Sequence, residues 1–436
     1  MWVVLFHLQD SYGILDTLLP ELSGFAAVTS GVQFRMDLLF MLSGFLISYV
    51  YIVNRRKLTP GAYGDFIAAR LIRLYPVYLA CSLLRAFLRG STSGAAGTEF
   101  RVGLLLAFVG FLVLCVLVAK LVEAASRAYG HLLPSRRFWI ILTILLTCTL
   151  VMACAPIAVH LSAVLGCNPR WTIVPVWLAL VQAWPWVPRF GRPLGPVWFL
   201  SSLWFAYLFC FPVAWRLVHR LRSTWAALLW VFVPVILWLT TSQLSSLHEL
   251  RLVTRACCGF LCGSALLVLY TKRSAFVSAA HKYLDATVLF FLVLSILIPA
   301  VDSETTRHAI NFLLVLGVPF LLAGTTDGSS FTAKLLASRP MLRLGTISYS
   351  LFMSHKLAID IWVLVLPSAG YANSSLLVRV LVMASYCGFI LLAALGFYHF
   401  VEEPWVASLK NLVTEPRPRP ARTSPLPIVA AQEPSS

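Results

Sequence analysis

The chain has 436 residues, 59% of them hydrophobic and only 12% charged, with a mean hydropathy of +0.84. Soluble domains carry about 25% charged residues, so this composition excludes an ordinary soluble enzyme and points to a bilayer protein. Lys and Arg number 34 against 17 Asp and Glu, a net charge of +17. The basic residues gather in short connectors, the cytoplasmic-loop bias of membrane proteins, which excludes nucleic acid as a partner and makes membrane lipids, through anionic headgroups, the expected one.

A crossing needs about twenty mostly apolar residues. On that measure helices are predicted near residues 1–8, 32–53, 71–89, 102–122, 138–164, 197–215, 224–244, 252–270, 286–301, 308–323, 345–367 and 377–401. The expected fold is an all-α polytopic transmembrane bundle of about 10–12 spans, one membrane domain over residues 1–408. The first helix is too short to cross, so the chain is expected to begin partway along a truncated helix. Connectors 54–70, 123–137, 216–223, 271–285 and 324–344 hold most of the loop Lys and Arg, whereas 9–31 has Asp10, Asp16 and Glu21 and no base. Both termini are therefore expected in the cytoplasm.

That alternation holds only if the Pro- and Trp-rich stretch 165–196 does not cross, so it is predicted to be interfacial or re-entrant. Residues 409–436, with Pro416, Pro418, Pro420, Pro425 and Pro427, are predicted to form a disordered cytoplasmic tail. The ten cysteines sit mostly in apolar runs and are expected as buried free thiols. No metal site is expected, since Cys257, Cys258 and Cys262 lack the further convergent ligands that structural zinc requires. No Walker loop or dinucleotide glycine motif is present, so any chemistry falls to the membrane domain.

Ionisable groups inside spans are costly unless paired or hydrated, and each is a functional candidate. His7, in the first helix, can serve as a general base or be a hydrogen-bonded core histidine. Arg35 and Asp37 open the second helix on different faces. Asp37 can orient a histidine, as a triad carboxylate does, or sit on the helix dipole. Arg70 and Arg73, three apart before Tyr75, can grip phosphates bidentately or snorkel to lipid. Further polar positions are Trp198 and Tyr207 around Ser201-Ser202, then Ser348, Tyr349 and His355, and finally Glu402 in Val401-Glu402-Glu403-Pro404. Lys356 and Asp360 form an i,i+4 pair that can neutralise itself.

In order along the chain, Val3-Val4-Leu5-Phe6-His7, the Asp37-to-Ile47 run ending Leu42-Ser43-Gly44-Phe45-Leu46-Ile47, Arg70 to Pro76, Trp198 to Pro212, Ile347 to Leu351 with His355, and Val401 to Pro404 resemble the acyltransferase 3 family. Its members are polytopic enzymes that acylate, often O-acetylate, carbohydrates and other extracytoplasmic acceptors. The resemblance implies that His7 is the catalytic histidine, with Asp37 the candidate carboxylate to assist it. It implies that Arg70 and Arg73, entering the third helix, line the acyl-donor side, and Arg35, Tyr75, Trp198, Tyr207, Ser348, Tyr349, His355 and Glu402 are the further candidates for binding donor and substrate. No cofactor is expected to be permanently bound. Acyl-CoA, with acetyl-CoA the expected form, is implied as co-substrate, and a carbohydrate or glycolipid as acceptor. His7 would deprotonate the acceptor hydroxyl or carry the acyl group itself. Two positions depart from the family pattern. An arginine eleven residues before the histidine would precede Met1, and Leu203 stands where a glutamate is common. The alternative reading is a multi-pass transporter or flippase of a lipid or sugar, which would favour inverted repeats, and no convincing repeat is found.

Overall fold

The computed structural model describes residues 2–22, 34–52, 58–91, 180–184, 197–241, 250–298, 301 and 303–407. Expected spans 102–122 and 138–164, and the tail after residue 407, lie outside the described residues. Throughout the described residues the regular structure is helical: α1 (Trp2–Tyr12), α2 (Ile14–Leu18), α3 (Phe34–Ile47), α4 (Pro60–Ser91), α5 (Val197–Phe205), α6 (Phe211–Arg220), α7 (Thr224–Thr241), α8 (Arg251–Thr271), α9 (Ala275–Leu297), α10 (Glu304–Gly324), α11 (Phe331–Leu336), α12 (Arg339–Thr346), α13 (Ser348–Val365) and α14 (Leu376–Phe397). Among them, seven helical stretches are long and apolar enough to cross a membrane. Lipid can hydrogen-bond no backbone group, so helices that satisfy their own are one of the two structures able to span it.

Several helices are longer than the apolar runs alone predict. α4 begins at Pro60, ten residues before Arg70, and has 32 residues, about 48 Å at 1.5 Å per residue. Serines start the later helices. The Ser303 Oγ accepts from the Thr306 N–H at 3.3 Å and the Ser330 Oγ from the Ala333 N–H at 3.1 Å, satisfying donors that a helix start leaves open. α9 turns Leu289, Phe290, Leu292, Val293, Ile296 and Leu297 outward, an apolar surface suited to acyl chains rather than water.

Two sets of parallel helices make the bundle. In the first, α3, α5–α6 and α8 run the same way. Asp37 meets Arg255, Gly44 meets Phe260, and Ser48 Oγ donates to Ser264 Oγ at 2.8 Å, while Phe40 stacks on Phe199 and Tyr51 meets Phe211. In the second, α1, α4 and α13 rise together in fixed register. Tyr12 bonds Asp360 across 348 residues, and His7 lies on His355 with the same offset. Arg85 bonds Asp360, and the Tyr349 hydroxyl donates to the Leu74 carbonyl, both across 275 residues.

α8 is the central helix, packed most extensively on α3 and α7. Its contact with α3 is backbone to backbone. A Cβ on Gly263 would overlap the Met41 carbonyl oxygen, one on Gly44 would overlap the Phe260 carbonyl oxygen, and one on Gly259 would stand 2.7 Å from the Phe40 Cβ. Without a hydrophobic drive between helices in lipid, such small-residue faces let van der Waals packing hold them. Gly263→Ala is expected to destabilise the protein by about 1–3 kcal/mol, as overpacking does, because a carbonyl cannot step aside as a side chain can. Thermal unfolding in detergent checks this, with Gly388→Ala, where a Cβ meets nothing within 4 Å, as the neutral control. An unchanged midpoint in Gly263→Ala would remove the contact from the account.

Candidate active site

His7 projects from α1, half-buried, with its ring centroid 5.1 Å from that of His355 on α13. His355 is fully buried. Its Nδ1 lies 2.7 Å from the Phe352 carbonyl oxygen and 3.2 Å from that of Leu351. A carbonyl only accepts, so Nδ1 bears the hydrogen and, in the neutral ring, Nε2 offers a lone pair. Both His355 Nε2 and His7 Nδ1 are buried with no hydrogen-bond partner among the described residues. Two imidazoles thus face each other with unspent nitrogens, an arrangement able to accept and pass on a proton.

An ion cluster closes one end of this pair. Asp360 receives the Arg85 Nε–H at 2.6 Å and the Tyr12 hydroxyl at 2.8 Å, and Lys356 Nζ stands 3.5 Å from it. Lys356 also lies 4.7 Å over the Tyr12 ring. Arg35 reaches the same neighbourhood, its guanidinium 5.1 Å over Phe6. Lys356 and Asp360 are therefore not the self-contained pair that their spacing suggests, because α4 and α1 each contribute a partner. Arg85, buried at 2%, was not among the residues picked from the sequence. Its place inside the apolar run Leu83-Leu84-Arg85-Ala86-Phe87 is the signal that could have found it.

At the other end of α4, Arg70 turns into the bundle. Its Nη2 donates to the Tyr51 hydroxyl at 2.9 Å, and its guanidinium lies 5.2 Å over Tyr51 and 5.7 Å over Phe66. Tyr207 lies beside Arg70 and Ser43. Glu402 accepts from the buried Ser350 hydroxyl at 2.6 Å. Three π-helical turns, Ser48–Ile52, Ala206–Cys210 and Tyr398–Glu402, end or interrupt their helices here. They supply Tyr51, Tyr207 and Glu402. Such turns recur at functional sites, and no residue pattern announced them.

Other expected site residues have different partners from those expected. Asp37 does not orient His7; it holds Arg255 through two bonds of 2.8 and 2.7 Å. α8 brings a guanidinium to it, and a buried carboxylate takes the nearest bidentate donor. Arg70 and Arg73 both lie near Tyr207 but are not equivalent, since Arg73 is exposed while Arg70 is clamped on aromatic rings. Ser348 is exposed and bonds the Gly345 carbonyl of its own turn at 2.7 Å. Tyr75 is half-buried against Tyr78, and Trp198 packs edge-on against Phe199. Tyr349 ties α13 to α4 at Leu74.

Residues 180–184, within the stretch expected to be re-entrant, are held inside the bundle by Ser201. The Ser201 Oγ donates to the Leu180 carbonyl at 2.7 Å and accepts the Ala183 N–H at 3.0 Å, while Trp184 Nε1 donates to the Ser201 carbonyl at 3.3 Å. Leu180 is fully buried with φ of 57°, a left-handed conformation that costs a side-chain-bearing residue about 1–3 kcal/mol and persists where surrounding structure enforces it.

These features define a polytopic α-helical membrane protein that carries buried ionisable residues, with two neighbouring imidazoles, inside its bundle. The profile of a family described as an acyltransferase domain matches residues 1–399. The chain belongs to that family, acyltransferase 3, and is an integral membrane acyltransferase. No curated protein and no solved structure gives a significant match.

Proposed function

We propose that the protein moves an acyl group, acetyl first among the candidates, from acyl-CoA at the cytoplasmic face to a hydroxyl of an extracytoplasmic carbohydrate or glycolipid. The observation that carries this reading is the placement of His7 against His355 between two different polar ends of the same parallel helices. With both termini in the cytoplasm of a plasma (inner) membrane, α4 and α13 run outward. Arg70 then lies on the donor side and the Asp360–Arg85 cluster on the acceptor side. Arg70, pre-oriented by Tyr51 and Phe66, suits a donor phosphate. The thioester reaches inward to His7. His7 withdraws the proton of the acceptor hydroxyl as that oxygen attacks the thioester carbonyl, and returns it to the thiolate as the C–S bond breaks, so that coenzyme A leaves as the thiol. In the alternative route His7 takes the acyl group first. His355, its own proton fixed on Nδ1, holds the partner imidazole in place.

Mass spectrometry of cell-surface glycans and secreted metabolites, from cells with and without the gene, tests the proposal. The expected result is an acyl increment that disappears with the gene and returns with the wild-type chain. Glycans and metabolites identical in both strains would defeat it.

A further inference from the structure

Gln182 is a polar residue to which the sites above give no task. It lies in the segment that Ser201 and Trp184 anchor inside the bundle. Its amide oxygen and nitrogen are both buried without a hydrogen-bond partner among the described residues. The Ser82 hydroxyl, on the facing surface of α4, is buried and unpartnered in the same sense. The fully buried Tyr78 hydroxyl lies beside both and interacts with each, but one hydroxyl cannot supply the two donors and the acceptor oxygen of a primary amide with all their bonds. A buried amide and hydroxyl with bonding capacity left over are costly, and their presence together points to a ligand that completes them.

The register places this group along the chain of events. Tyr78, Ser82 and Arg85 lie at i, i+4 and i+7, on one face of α4. With the offset of 275 residues between α4 and α13, His355 stands level with Ala80, so Tyr78 and Ser82 straddle its depth. From Arg70 to that depth is about 15 Å at 1.5 Å per residue. A thioester donor with its phosphates at Arg70 and its acyl carbon at the histidines must lay its connecting arm along this face. In coenzyme A that arm is neutral and carries secondary amides, each one donor and one acceptor. A primary amide with two hydroxyls beside it complements such a group, whereas a phosphate would call for cations.

We infer that Gln182, with Tyr78 and Ser82, forms a binding site for the amide-bearing arm of the acyl-CoA donor. The inference rests on the function proposed above and gives the donor path a residue on the 180–184 segment.

Purified protein in detergent is titrated with coenzyme A and, separately, with the adenosine bisphosphate that forms its nucleotide half. Gln182→Leu and Gln182→Met are expected to weaken coenzyme A binding about tenfold, the loss of one or two buried hydrogen bonds, and to leave binding of the bisphosphate unchanged. Unaltered coenzyme A binding in both variants overturns the inference, as does an equal loss for both ligands. Wild-type protein that binds neither ligand overturns the donor assignment itself, which is a different result from a failure confined to Gln182.

Discussion

Replacing His7 with alanine is expected to lower acyl transfer by about 10²–10⁴-fold, the usual contribution of a positioned general base, or to abolish it if the ring carries the acyl group. The bundle is expected to survive, because His7 is only half-buried and its ring packs against other rings, Phe6 at 4.9 Å and His355 at 5.1 Å between centroids. Acylated product in cells, normalised to protein in the membrane fraction, measures it. His355→Asn separates the two imidazoles. If His355 acts only by holding His7 in place, its loss leaves a substantial residual rate and alters the pH profile. Undiminished acylation in His7→Ala would remove His7 from the mechanism.

Arg255→Leu is expected to cost about 3–5 kcal/mol, the penalty for leaving a buried charge without its partner. Asp37 is 2% exposed and both of its oxygens are bonded by that one guanidinium, which also lies 4.9 Å over Trp238. Lipid makes an abandoned carboxylate no cheaper. The double variant Asp37→Leu/Arg255→Met should recover most of the loss, since apolar replacements of a buried pair are often neutral. Thermal unfolding of the singles and the double in detergent reads the effect. If the double variant is as unstable as Arg255→Leu, the pair is not the source. If it is stable but inactive, Asp37 has a chemical duty that the geometry does not display.

Much of the fold was legible because bilayer spans announce themselves: composition, apolar run length and the basic connectors bear on the same bundle. His7 and His355 stood out for a related reason, as ionisable groups in apolar sequence. Partnerships were less visible. Asp37 and Arg255 are 218 residues apart, and no local pattern links a carboxylate at one helix start to a guanidinium at another. Spacing correctly made Arg70 and Arg73 helical neighbours, but not that aromatic rings would draw one inward and leave the other exposed. The α3–α8 crossing was less legible: small residues such as Gly44, Gly259 and Gly263 permit close packing without saying which helices meet. Gln182 was hidden by its surroundings, since a segment rich in Pro and Trp reads as interfacial and draws attention away from a single neutral amide.

The common register of α1, α4 and α13 also bears on inheritance. One residue inserted between His7 and Tyr12 would turn one of them about 100° against the other, and only one could then keep its partner on α13. The interval between them is therefore closed to insertion and deletion, while the lipid-facing letters around it are free to drift among apolar residues. Across descendants of this chain, spacing should outlast spelling.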